Sequence, residues 1–225
     1  RIIHTIEATE GISVAAAFER ADHPSVGSDV GEVVGLGTKG LQIAADLPSV
    51  MDAGEVLIDF TFHEASVDHL RQAVSAKKPM VIGTTGFTDD EIETIGKLAQ
   101  EIPCVQAPNM SMGVNLMFKV VEDMAKALGD GFDVEIIEAH HHHKKDAPSG
   151  TAVKLAQNLA TALGRNLEQV GVYERHGMIG ERRPEEIGIQ TLRGGDIVGE
   201  HTVLFAGVGE RLELTHRAQR RDNFA

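Results

Sequence analysis

Apolar and polar positions along the 225-residue chain change rhythm near its middle. In the first half, short apolar runs alternate with segments of helical period. Ile2, Ile3 and Ile6 predict a helix that starts abruptly and ends by Gly11. Ile12 to Phe18 is apolar apart from Ser13, the pattern of a buried parallel strand. Gln42–Ala45 is a weaker strand and Val56–Thr61 a strong one; His63–Lys77 reads as a helix and Met80–Gly86 as strand and turn. Asp89–Gln100 is a helix with Thr88 as its cap and Glu91 at the reciprocal position, and Pro103–Ala107 is another strand. Strands alternating with helices predict an α/β, doubly wound (Rossmann-like) parallel sheet.

The second half reads differently. Val114, Leu116, Met117, Val120, Val121, Met124, Ala125 and Leu128 give a helix with a broad apolar face, ended by Gly129. Phe132–Glu138 alternates apolar and acidic side chains and predicts a half-buried strand. A polar loop and a helix over Thr151–Leu163 follow, then a Gly-rich loop at Gly177–Glu186. Three strand-like runs close the chain, Ile187–Arg193, Ile197–Gly207 and Arg211–Arg217. The expectation is a second, α+β domain with a mixed sheet. The division reads as residues 1–111, residues 112–220, and a short 221–225 segment returning to the first domain.

Composition narrows the functional classes. A formal net charge of −13 argues against a general nucleic-acid or membrane-surface binder, so an anionic ligand needs local positive groups. With no Trp and one Tyr, stacking platforms for single-stranded nucleic acid are not expected. No apolar run approaches a membrane span. The lone Cys104 offers no intrachain disulfide framework and fits a cytoplasmic setting.

The chemistry concentrates between the Phe132 strand and the Thr151 helix. Glu138-Ala139-His140-His141-His142-His143-Lys144-Lys145-Asp146-Ala147-Pro148-Ser149-Gly150-Thr151-Ala152 packs four histidines and two lysines against a helix start. Free N–H groups at that start form an anion site, and the histidines move protons near neutral pH. An internal run is not a terminal tag. No metal is expected: consecutive strand residues face opposite ways, and no spaced Cys or carboxylate cluster completes a ligand set. Three strand ends in the first half are also chemically pointed. Glu19-Arg20 is either an ordinary exposed pair or a ribose and 2′-phosphate site, and Gly83-Thr84-Thr85-Gly86 either a plain turn or a ligand-facing one. Ala107-Pro108-Asn109-Met110 ends a strand in small and amide side chains.

The run Glu-Ala-His-His-x-His-Lys-x-Asp-Ala-Pro-Ser-Gly-Thr-Ala resembles that of the 4-hydroxy-tetrahydrodipicolinate reductase (dihydrodipicolinate reductase) family. Asp59-Phe60-Thr61, Gly194–Thr202 and Gly209–His216 resemble the family as well. The resemblance implies NAD(P)H-dependent reduction of a cyclic dicarboxylate in lysine and diaminopimelate biosynthesis, in a homotetramer built through the second sheet. It implies His140 and Lys144 as proton-transfer residues. It assigns substrate contact to His141, Ser149, Gly150 and Thr151. Cofactor contact, with NADPH or NADH, falls to Glu19, Arg20, Gly83, Thr84, Thr85, Ala107, Pro108, Asn109 and Met110. The two halves are then expected to close on each other about hinges near Ser111 and Arg220. Two departures stand out. Phe62 occupies a position that is often basic in the family. The Gly-rich phosphate loop and the strand before it are absent, and Gly35-Leu36-Gly37-Thr38-Lys39-Gly40 lies in the wrong place to replace them. The expectation is therefore a fragment that binds dinucleotide poorly. Rival readings are another two-domain oxidoreductase, such as an aspartate-semialdehyde dehydrogenase (for which Cys104 is poorly placed as the nucleophile) or an amino-acid dehydrogenase, and a non-enzymatic nucleotide- or anion-sensing or metal-binding module.

Overall fold

The computed structural model describes residues 1–224; Ala225, the last residue of the expected 221–225 return, lies outside the described residues. The chain forms two compact units, Arg1–Pro108 and Asn109–Phe224.

In the first unit, helix α1 (Ile2–Glu7) is followed by strand β1 (Ala17–Phe18), short helix α2 (Val30–Val34) and strand β2 (Ile43–Ala44). Then come β3 (Leu57–Asp59), α3 (His63–Ser75), β4 (Met80–Ile82), α4 (Asp89–Leu98) and β5 (Cys104–Gln106). All strand pairs are parallel. They fall into two sheets, β1-β2 and β3-β4-β5. The core lies under the three-stranded sheet, where Leu70 and Ala73 of α3 and Ile95 of α4 pack on Met80 and Ile82. Alpha4 carries the expected capping box: Thr88 Oγ accepts from Glu91 N, and the Glu91 carboxylate accepts from Thr88 N.

One expectation needs correction, and one element had none. The apolar run from Ile12 gives only a two-residue strand, because Ala17 and Phe18 alone find ladder partners, in Ile43 and Ala44, and Ile12 is 48% exposed. Hydrophobic runs become strands only where a neighbour takes up their N–H and C=O groups. Helix α2 was not legible as a periodic segment. It is fixed by Asp29, which caps Gly31 and Glu32 and also accepts from the N–H groups of Lys39 and Gly40. Those bonds, led by the one from Lys39 and opposed by desolvation, hold the Asp29 carboxyl below its ordinary range.

The second unit is a helix-covered sheet. Helix α5 (Met112–Leu128) is capped by Ser111. Beta6 (Asp133–His140), α6 (Gly150–Ala162), α7 (Leu167–Val170) and β7 (Gly171–Val172) follow, then β8 (Ile187–Arg193), β9 (Gly199–Ala206) and β10 (Arg211–Ala218). The order is β10-β9-β6-β8-β7; β6 runs parallel to β8 and antiparallel to β9. One face packs under α5 and α6 through Val121, Leu155, Leu159, Ile136, Val203 and Phe205, all essentially inaccessible. Each such side chain contributes on the order of 1.5–3 kcal/mol. The alternating burial along β6 and β9 puts every second residue on that face. Glu138 and His140 are therefore buried among the apolar side chains, at the end of the central strand.

Candidate functional site

The site is built where β6 ends. Register places Glu138 beside His201 of β9 and Thr191 of β8, and His140 beside Arg193. Glu138 is fully buried. His140 donates its Nδ1–H to Oε2 at 2.6 Å. The Arg193 guanidinium grips both oxygens, Nη1 to Oε2 at 2.8 Å and Nη2 to Oε1 at 2.9 Å. Ser149 N and Thr191 Oγ1 donate to Oε1 at 3.0 and 3.2 Å. Desolvation would raise the Glu138 carboxyl, but the bonds from His140, Arg193 and Ser149 N overcome it and hold the group far below the ordinary carboxylate range. An ionised carboxylate only accepts, so it fixes the Nδ1–H tautomer of His140. Nε2 has no protein partner among the described residues and is not among the fully buried atoms. It lies over Gly199: a Cβ there would come within 3.1 Å of it, so glycine keeps the space open.

The loop after His140 is tied down at both ends. Gly194 N donates to His140 O, and His142 N to Gly195 O. Arg193 Nη2 also donates to Asp146 O at 2.7 Å, joining the loop to the Glu138 carboxylate. Lys144 rests its ammonium on Asp146 at 2.8 Å. His141, His142 and His143 line a cavity of about 390 Å³ with Gly195, Asp196 and Arg221. His141 is pushed toward its neutral form by desolvation and by the positive groups Arg221, His140, His143 and Lys144.

Helix α6 then opens at Gly150. Ser149 is its cap, accepting from Ala152 N. Of the expected anion-holding residues, Ser149 is the exception. It is 2% exposed; its N–H goes to Glu138 and its hydroxyl faces His201 Nε2 at 3.0 Å. The N–H groups of Gly150 and Thr151 have no protein acceptor among the described residues. Thr151 Oγ1 accepts from Asn109 Nδ2 at 3.2 Å, which leaves its hydroxyl proton free. These three donors are free to bind an anion. Asn109, expected beside a cofactor, is thus brought to the α6 start; its Oδ1 accepts from Ser111 N.

In the first unit, Glu19 and Arg20 lie exposed just past β1; Arg20 Nε is 3.0 Å from Asp22. At the end of β4, a Cβ on Gly83 would fall 2.1 Å from the Phe60 ring. The hydroxyl of Thr84 is 3.0 Å from Asp59 and buried, so the turn offers backbone and the exposed Thr85 to a ligand. Ala107 N donates to Ile82 O; Pro108 is exposed and Met110 half-buried. What these strand ends leave open is the exposed Glu19 and Arg20, the backbone of the turn after β4, Thr85 and Pro108. The G-x-G-x-x-G match at Gly35–Gly40 follows α2 and leads into β2, the reverse of a helix-opening phosphate loop. Among the described residues, no group of three or more His, Cys, Asp or Glu is placed to hold a metal ion.

Sequence reasoning assigned no role to Glu138, Arg193, His201, Asp59 or His69. The first was readable: an acidic residue two before a histidine on one strand shares its face. The parts played by the others are set by partners on other segments.

Known proteins resemble this chain over its whole length. The model for "Dihydrodipicolinate reductase, N-terminus" matches residues 1–110, and that for "Dihydrodipicolinate reductase, C-terminus" residues 113–225. The 4-hydroxy-tetrahydrodipicolinate reductases of Syntrophus aciditrophicus and Syntrophobacter fumaroxidans are 58% and 59% identical over the whole chain, which spans 84% of each relative's length. A dipicolinate-bound dihydrodipicolinate reductase from Paenisporosarcina sp. TG-14 superposes with a TM-score of 0.73 at 27% identity, covering 99% of this chain and 84% of that one.

Proposed function

The chain belongs to the dihydrodipicolinate reductase family, and from that premise we infer that it reduces 4-hydroxy-tetrahydrodipicolinate to tetrahydrodipicolinate with a reduced pyridine nucleotide, a step of lysine and diaminopimelate biosynthesis. The observation that carries the reading is the Glu138–His140 pair, set one loop away from an open helix N-terminus with Lys144 between them.

The nicotinamide supplies a hydride when bound. Every other part belongs to this chain. The N–H groups of Gly150 and Thr151 and the Thr151 hydroxyl hold a substrate carboxylate, and Ser149 shapes their turn. His141 contacts the substrate from the cavity wall. Lys144, released from Asp146, donates a proton at the atom next to the hydride acceptor. His140 accepts or returns a proton at Nε2, while Glu138 keeps Nδ1–H in place and stabilises the imidazolium. Glu19 takes the ribose hydroxyls and Arg20 a 2′-phosphate, so both NADH and NADPH are accepted. Gly83, Thr84 and Thr85 line the nicotinamide end with Ala107, Pro108, Asn109 and Met110.

We further propose that the enzyme acts in the cytoplasm as a homotetramer, joined through the uncovered face of the second unit's sheet. That face carries the exposed Ile137 and Leu192. Sedimentation equilibrium tests this, with Ile137→Lys expected to lower the mass.

The activity is tested by NADPH oxidation with substrate generated in situ from pyruvate and aspartate semialdehyde. The chain would be run beside the same chain carrying an N-terminal Gly-rich βα unit, the form used for all turnover assays below. Turnover that Lys144→Ala lowers by about 10²–10⁴-fold, with the fold intact, supports the assignment. A folded, cofactor-binding protein without turnover overturns it.

A further inference from the structure

The buried histidine of β9, His201, has no part in the steps above. It is 4% exposed and stands between Glu138 and His216 across the ladder. Its Nε2 lies 3.0 Å from Ser149 Oγ. That oxygen already accepts the Ala152 N–H, and its own proton needs an acceptor; Nε2 is the one it contacts. His201 is therefore the Nδ1–H tautomer. Its Nδ1 is buried with no protein partner among the described residues. An unpaired buried N–H costs stability that a leucine in the same place would not cost. What the histidine gains is two contacts: the Ser149 hydroxyl, and the His140 ring, packed edge to face at 5.2 Å between centroids and 71° between planes.

We propose that His201 is a positioning residue that locks the α6 cap and the His140 imidazole into one arrangement, so that carboxylate grip and proton transfer are set together. The inference rests on the reading of this loop as the substrate site. Glu138 acts on His140 from Nδ1 and His201 packs edge to face with its ring. Ser149 joins the two, because its N–H binds Glu138 and its hydroxyl binds His201.

The test uses His201→Leu and His201→Gln in the chain itself, with dipicolinate as the probe. Three quantities are measured: the dipicolinate Kd by calorimetry, the His140 tautomer by ¹⁵N NMR, and the urea unfolding midpoint. His201→Leu is expected to weaken dipicolinate about tenfold or more and to mix the His140 tautomers, while the midpoint at neutral pH stays at or above wild type. His201→Gln, whose amide oxygen can accept the Ser149 proton, recovers part of the affinity. If His201→Leu does not fold, Ser149→Ala removes the same bond from the other end and carries the same expectation for affinity. Wild-type Kd and an unchanged His140 spectrum in His201→Leu would overturn the proposal. So would an affinity loss that merely follows a stability loss in both variants. If wild type itself binds no dipicolinate, the substrate-site reading fails; the His140 spectrum of His201→Leu then still decides this one, supporting it if altered and overturning it if not.

Discussion

Each unit of the molecule buries a carboxylate at the carboxyl end of a parallel-paired strand and sets a histidine Nδ1 against it. In the first unit Asp59 ends β3, 1% exposed, with His69 of α3 at 2.5 Å. Thr61 N, Thr61 Oγ1, Ser66 Oγ and Thr84 Oγ1 complete its surroundings. In the second, Glu138 faces His140 at 2.6 Å with Arg193, Thr191 and Ser149 N around it. Both carboxyls are opposed by desolvation and drawn below their ordinary range by their hydrogen bonds, those of the histidine foremost. The pair itself is therefore no sign of catalysis. The surroundings differ. His69 meets the Phe18 ring edge-on at 5.1 Å, and Asp59 has neutral donors besides it, so this pair clasps β3, α3 and the turn after β4. His140 adjoins a helix start with free N–H groups, a lysine and a second buried histidine. One carboxylate–histidine pair shapes a turn; the other is the one we propose to aim a proton.

The largest effect that would sharpen this contrast is on turnover. Glu138→Gln should lower kcat by about 10²–10⁴-fold, as His140→Ala does, because the tautomer is no longer fixed. Asp59→Asn should leave kcat within a few-fold and raise the KM for cofactor instead. In stability the order changes. Removing one member of a buried pair costs about 3–5 kcal/mol. Asp59→Asn should approach that in urea unfolding, since the clasp joins three elements.

The pH dependence of stability separates the regions next. The depressed carboxyls of Asp59 and Glu138 stabilise both units above the ordinary carboxylate range, and that stability is withdrawn as pH falls below it. The second unit has an additional term. Desolvation, followed by the charge of His140, pushes His201 down to about 4 from 6.5. Between those values the unfolded chain binds the proton and the folded chain does not, so stability falls as pH drops through the window. The loss amounts to up to about 3 kcal/mol. His201→Leu should flatten that slope. The smallest effect is a control: Thr88→Ala, which removes the α4 cap, should cost about 1 kcal/mol in urea unfolding and leave kcat unchanged.

Much of this architecture is legible in the sequence because it rests on local periodicity and capping. The α5 stripe, the Thr88–Glu91 box and the strand over Ile187–Arg193 are complete within their own segments. The same holds for the strand–loop–helix arrangement of the His/Lys run. What escapes is set by ladder partners. Ile12–Phe18 has strand composition but partners only at Ala17 and Phe18, and α2 is held by a carboxylate that also binds a loop ten residues on. The supporting half of the site escapes for the same reason. Arg193 reaches Glu138 from 55 residues away and His201 reaches Ser149 from 52, so neither contact can be read from a local pattern. The use of Ser149 inward rather than toward a ligand also depends on those distant partners.

The most direct test of the central claim is the paired steady-state kinetics of Glu138→Gln and Asp59→Asn, with unfolding curves of both. A collapse of kcat confined to Glu138→Gln, at a stability loss no greater than that of Asp59→Asn, is the predicted result. Equal losses of kcat in the two variants, or a near-normal kcat in Glu138→Gln, would contradict it.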